Sequence, residues 1–230
     1  MNIFYHVPRG LGLTLCVVIV ITILVLLEKR LSPVMHNWGG VYPSVLNFLV
    51  ILSKTVVPLV LLWRVYELKP GSLGWVEGNL FQAVWKGLVL ALLMMAFIFI
   101  YRKYSHLLFG APYTSTGGLI LAKQVSGAAI GISLSAALLN AFGEEIIFRG
   151  MLLPSLSRYL GFTIALIAQS FIFTAYHFFP LQNSLLLFIM GIFFGLGYLW
   201  SGSLLTPVLA HLIVNGIPAL IFLVRSLCAG

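Results

Sequence analysis

Two adjacent carboxylates, Glu144 and Glu145, stand in a stretch otherwise rich in Ala, Leu, Ile and Phe, and they are two of only five acidic residues in a chain of 230. A charged side chain at the centre of a bilayer costs about 2.5–3.5 kcal/mol on insertion scales. The two glutamates and nearby Arg149 are therefore costly unless paired or put to use. Residues four apart share a helix face, so Glu145 can pair with Arg149 and fix the helix. Glu144 is rotated about 100° from Glu145 and shares its face with Asn140. It is left as the titratable group facing a cavity, a position suited to a general base.

Two further groups interrupt apolar runs at the same spacing. Phe173 and His177 fall on one face at the end of one run. His211 and Asn215 fall on one face near the start of the last. Alone, a histidine there is an interfacial residue, and a His–Asn pair is a helix-packing hydrogen bond. Together, Glu144, His177, His211 and Asn215 place a base, two imidazoles and a neutral donor on three helices. No Ser, Cys or Thr stands out as an activated nucleophile, so water is the natural attacking group. In one scheme Glu144 and a histidine deprotonate water, while a second histidine and the Asn amide donate to the oxyanion, each donor typically contributing about 10²–10³ in rate. In the other, zinc is held by Glu144, His177 and His211 with water in the open position. There is no His-Glu-x-x-His, so such a metal site would be assembled from separate helices. The residues leave both schemes open.

Positioning these groups requires transmembrane helices. Spanning the hydrocarbon core takes about 20 apolar residues, and apolar runs lie roughly at 11–27, 45–63, 83–101, 126–153, 161–177, 184–200 and 207–225. The expectation is an all-α polytopic transmembrane bundle of about seven spans, within a range of roughly six to eight. The second run contains Lys54 and Pro58, which predict a kink or tilt. Pro154 and Gly161 bracket a short turn between the fourth and fifth runs. Residues 102–118 read as a loop or surface-lying segment. Gly191 and Gly195 make a small-xxx-small stripe that lets a neighbouring helix come close.

Composition excludes other classes. The chain is 61% hydrophobic and 8% charged, against about 25% charged in a soluble domain, so it has no polar coat for water. A net charge of +8 would point to nucleic acid in a soluble protein. Here most Lys and Arg residues sit at the ends of apolar runs, where they meet lipid headgroups, and no basic stripe with interleaved aromatics is present. The partners implied are membrane lipids and a substrate, with no nucleic acid. Cys16 and Cys228 show no metal or redox spacing. The first apolar run lacks a small-x-small cleavage site and reads as a retained helix.

Glu144-Glu145-Ile146-Ile147-Phe148-Arg149 resembles the EExxxR motif of the CAAX protease and bacteriocin-processing (CPBP, or Abi) intramembrane endopeptidases. Phe173–His177 is similar to that family's FxxxH motif and His211–Asn215 to its HxxxN motif, in the family's order. The resemblance covers about residues 120–225. It implies an intramembrane peptidase in which Glu144 and His177 activate water, His211 and Asn215 stabilise the oxyanion, and Glu145 and Arg149 support the site. Both a zinc-dependent and a metal-free mechanism have been argued for the family. Eukaryotic members cleave the last three residues from prenylated CAAX proteins, and bacterial members are linked to bacteriocin immunity and peptide processing. The short chain is similar to the bacterial kind, which implies a multi-pass protein of a bacterial cytoplasmic membrane acting on a peptide, or a prenylated or bacteriocin-type protein. Residues 1–117 then form N-terminal helices and a loop, and residues 118–230 the catalytic core. Two other readings account for intramembrane Glu, His and Arg: an ion- or proton-coupled transporter, and a non-catalytic immunity or scaffold protein. A transporter would show internal repeats, and the sequence has none.

Overall fold

The computed structural model describes residues 11–36, 42–65, 75, 79–111, 113 and 127–228, and every regular element among them is helical. The helices are α1 (Leu11–His36), α2 (Tyr42–Val65), α3 (Leu80–Tyr104), the single turn α4 (His106–Phe109), α5 (Gly127–Glu145), a π-helical segment (Ile146–Leu152), α6 (Leu153–Ala175), α7 (Leu181–Ser201) and α8 (Leu205–Cys228). The expected boundary between residues 117 and 118 lies outside the described residues.

Large apolar side chains cover the outside. Leu92, Phe99, Ile164 and Phe171 are each more than half exposed, a surface suited to lipid rather than water. Among the described residues, three helical stretches are long and apolar enough to cross a membrane: Leu80–Tyr104, Ser135–Ala175 and Leu181–Ser201. Shorter apolar stretches occupy Val45–Val60 and Leu205–Ile217. The chain is an integral membrane protein built as an all-α bundle.

The 41-residue stretch Ser135–Ala175 would be about 60 Å long if straight, twice the hydrocarbon thickness. It is not straight. Gly161 has φ 72° and ψ 163° inside it, a backbone conformation open essentially to glycine alone. The chain doubles back there, as the ring pair Phe148–Phe173 and the approach of His177 to Glu144 require. Glu144 lies seventeen residues before Gly161 and His177 sixteen after it, so the two legs bring them to one level, about 25 Å from the apex. The turn expected between Pro154 and Gly161 is thus narrower than the sequence indicates. Pro154 sits in the first turn of α6, where a missing N–H costs little, and Gly161 alone makes the break.

Other boundaries also differ from the periodicity. Helix α1 continues through Glu28-Lys29-Arg30 to His36. The run expected as one α-helix over 126–153 changes to π geometry at Ile146, and the Leu153 N–H reaches the Phe148 carbonyl five residues back. All seven π residues are buried, packed by α1, α2, α6 and α7. That enclosure compensates for the poorer hydrogen-bond geometry of the wider turn.

In lipid, helices associate through close packing and hydrogen bonds rather than through burial of apolar area. Small residues permit the approach. A Cβ on Gly191 would stand 2.9 Å from that of Ser170, and one on Gly195 would meet Leu166, so the expected stripe on α7 does receive α6. On α5, a Cβ at Gly143 would stand 2.5 Å from the Thr55 hydroxyl of α2. Thr55 Oγ1 donates across to the Leu139 carbonyl at 3.1 Å. This contact brings the next residue of each helix together: Lys54 and Glu144.

Candidate active site

Glu144 is 2% exposed and lies at the centre of the cluster. Its Oε1 accepts from Asn140 Nδ2 at 2.7 Å and from the Tyr176 hydroxyl. Lys54 Nζ stands 3.6 Å from the same oxygen and His177 Nε2 3.7 Å. His211 Nε2 is 3.8 Å from Oε2. The sequence groups Glu144 with His177, His211 and Asn215. The structure brings both histidines to it and adds a tyrosine and a lysine.

Glu145 and Arg149 are fully buried and joined at 3.0 Å. The pair survives in the π segment because residues four apart still fall within one turn. Arg149 Nη2 also donates to the Gly191 carbonyl at 3.1 Å. Its guanidinium lies between the Phe173 ring at 4.8 Å and the Phe194 ring at 5.0 Å. A buried ion pair is tolerated only with such added partners. Glu145 also holds a histidine. Its Oε1 accepts from His211 Nδ1 at 2.7 Å, while Phe194 stacks on the His211 ring at 4.5 Å.

His177 is held from the other side. Its Nδ1 donates to the Phe173 carbonyl at 2.6 Å, and the Phe173 ring packs edge-on against it at 5.0 Å. Lys29 of α1 donates to the His177 carbonyl at 2.5 Å and stabilises the reversal at Phe178, whose φ is 52°.

These hydrogen bonds fix the tautomers. Each ring commits its Nδ1–H, to a carbonyl or to Glu145, and turns its Nε2 toward Glu144 at 3.7 Å for His177 and 3.8 Å for His211. These separations are too long for direct hydrogen bonds. A water bridging Glu144 and a lone pair on His177 Nε2 would donate to both. Asn215 is half-buried on the same face of α8 as His211 and makes no hydrogen bond among the described residues, so it is one turn from the cluster and not joined to it.

The zinc scheme fits this arrangement poorly. Both histidines have the outer hydrogen bonds that metal-bound histidines show. However, among the described residues no group of three His, Cys, Asp or Glu side chains has metal-holding geometry. Glu144 Oε1 already accepts from the Tyr176 hydroxyl and Asn140, and an ammonium stands beside it.

Sequence reasoning does not single out Lys54, Tyr176, Phe194 or Lys29 as site residues. Lys54 gives a signal, as a lysine inside an apolar run. The others give none, being aromatics in an apolar helix or a charge at a helix end.

The chain is 40% identical over 84 residues to a protein of Bacillus subtilis (strain 168) described as the uncharacterized protein YpbD, a stretch covering 35% of this chain and 40% of that protein. The chain thus spans less than half the length of the curated relative it matches. No solved structure matches. A family model described as type II CAAX prenyl endopeptidase Rce1-like matches residues 126–217, the stretch that carries Glu144, Glu145, Arg149, His177, His211 and Asn215. The three motifs therefore fall within the stretch that matches: over residues 126–217 this chain is similar to the type II CAAX prenyl endopeptidase Rce1-like family.

Proposed function

We propose that this protein is an intramembrane endopeptidase that hydrolyses a peptide bond with a water activated by Glu144 and His177. The observation that carries the reading is the facing of acceptors: Glu144 Oε1 and His177 Nε2 are 3.7 Å apart, with the imidazole proton committed to the Phe173 carbonyl. A water donating to both is held with its oxygen lone pairs free. Glu144 takes one proton as that oxygen bonds to the scissile carbonyl carbon. The oxyanion then collapses, the C–N bond breaks, and the proton passes to the leaving amine, giving an acid and an amine.

Glu145 and Arg149 are supporting residues that hold His211. Glu145 orients the His211 ring through Nδ1 at 2.7 Å, leaving Nε2 turned into the site, where His211 is placed with Asn215 on the oxyanion side. The Asn215 amide remains a donor for the oxyanion. The family match supports a peptide or prenylated protein as substrate. A bacterial setting agrees with the relative in Bacillus subtilis, whereas the bacterial cytoplasmic membrane and a bacterial peptide or bacteriocin-type substrate rest on the motif resemblance.

The test is cleavage of quenched-fluorescence peptides, with and without a farnesyl cysteine, by the purified protein in nanodiscs. Glu144→Gln and His177→Ala should each lower kcat by about 10²–10⁴, the range for loss of general-base catalysis, with helical content unchanged. Folded variants that cleave like wild type would overturn the assignment.

A further inference from the structure

We propose that Lys54 is a catalytic residue of this site, its ammonium donating to the scissile carbonyl oxygen as that oxygen becomes an anion. The inference rests on the peptidase reading and adds a residue from outside the stretch matched by the family model, residues 126–217. Lys54 lies in α2 with its side chain 8% exposed. A buried ammonium ordinarily spends its three N–H groups on hydrogen bonds, because leaving a charged donor unmet is costly. Among the described residues Lys54 Nζ makes none. Its neighbours are Glu144 Oε1 at 3.6 Å, beyond hydrogen-bond distance, and the face of the Tyr176 ring at 5.4 Å. Glu28 of α1 also acts on it through charge, without an ion-pair contact.

Its place matches what the reaction lacks. Water activation puts a nucleophile against Glu144, and the attacked carbonyl must lie within about 3 Å of that water, with donors on its oxygen. His177 and His211 turn their Nε2 atoms toward Glu144 at 3.7 and 3.8 Å, and the Asn215 amide is a neutral donor. Lys54 is the cation next to the base with donors to spare. Tyr176, hydrogen-bonded to the same Glu144 oxygen, presents its ring face to the ammonium. An alternative anionic oxygen, the C-terminal carboxylate of the substrate, has the same chemistry and is separated by the test.

The experiment compares wild type, Lys54→Met, Lys54→Arg and Glu144→Gln with the double variant Lys54→Met/Glu144→Gln. The ligands are a cleavable peptide and its phosphinic analogue, a tetrahedral anion, each with a free or an amidated C-terminus. Lys54→Met should lower kcat by about 10²–10³-fold with a small change in KM, and Lys54→Arg should recover part of it. Phosphinic peptide binding should weaken on Lys54→Met even in the Glu144→Gln background, where the ion pair is already gone, and equally for both C-termini. A loss that vanishes in that background makes Lys54 a partner of Glu144 only and overturns the proposal. A loss confined to free C-termini assigns Lys54 to the carboxylate and also overturns it. Wild type that cleaves no peptide defeats the peptidase reading itself, whereas an active wild type with an unaffected Lys54→Met defeats this inference alone.

Discussion

Gly143→Ala tests whether one helix contact sets the working geometry. An added Cβ would stand 2.5 Å from Thr55 Oγ1 and 3.2 Å from Thr55 Cα, short of ordinary contact by about 0.9 Å at the hydroxyl. The hydroxyl is not free to turn aside, since it bonds the Ile51 and Leu139 carbonyls at 3.1 Å each. Either it gives up the cross-helix bond or α2 moves away from α5. Overpacking typically costs about 1–3 kcal/mol, and alanine recovers about 1 kcal/mol over glycine within a helix. The net loss of stability is therefore small, about 0–2 kcal/mol. The effect on activity is larger, because the strain acts on the neighbours. Lys54 adjoins Thr55 and Glu144 adjoins Gly143, so any displacement opens their 3.6 Å separation. A misplacement of about 1 Å can cost about 10²-fold in rate. The assay is kcat/KM on a fluorogenic peptide beside a thermal melt in the same detergent. The expected signature is a loss of about 10²-fold in a protein melting within a few degrees of wild type. Adding Thr55→Ala, which removes the hydroxyl, should restore much of the rate. Wild-type kcat/KM in Gly143→Ala, or no recovery in the double variant, would refute the reasoning.

Two further outcomes concern the scaffold. Arg149→Met leaves Glu145 buried without its cation and should destabilise the protein by about 3–5 kcal/mol, while Arg149→Met with Glu145→Met should lose less. Unfolding in mixed micelles reads both, and a single variant as stable as wild type contradicts the ion-pair role. Gly161→Ala has no atom within 4 Å of the new Cβ, so its cost is backbone strain alone, about 1–3 kcal/mol. Gly161→Asn should lose as much, because ψ 163° is far from the left-handed helical region that asparagine tolerates; clear recovery by Asn would show that the reversal does not require the observed backbone.

What the sequence makes legible depends on the distance between partners along the chain. Glu145 with Arg149, and Phe173 with His177, are four apart, and helix periodicity alone puts each pair on one face. The order of the three motifs is likewise visible, since it needs only residue types. Lys54 stands out as a charge in an apolar run, but its partner is ninety residues away and no local period connects them. The connection is the Thr55–Gly143 contact, a property of two helix surfaces. Tyr176 is hidden because an aromatic within an apolar helix is ordinarily packing, and its hydroxyl matters only once Glu144 is opposite. The π segment is invisible for a related reason. Ile146–Leu152 has good α-helical composition, and the wider turn follows from burial on all sides.

The geometry also assigns different work to the two carboxylates by what surrounds each. Glu145 has its Oε1 taken by a guanidinium and an imidazole N–H at hydrogen-bond distance, so it is structurally engaged and fixes a tautomer. Glu144 also accepts direct bonds, from Asn140 and Tyr176, but its histidines and lysine stand at 3.6–3.8 Å, too far for direct bonds and suited to a water or a substrate atom between them. The first arrangement resists change on binding, whereas the second invites it. Its cation comes from α2, and the clamp on the His177 carbonyl comes from α1. The residues matched by the family model supply Glu144 and both imidazoles, but the N-terminal helices supply Lys54 and the Lys29 brace. A site assembled in this way is incomplete in residues 126–217 alone.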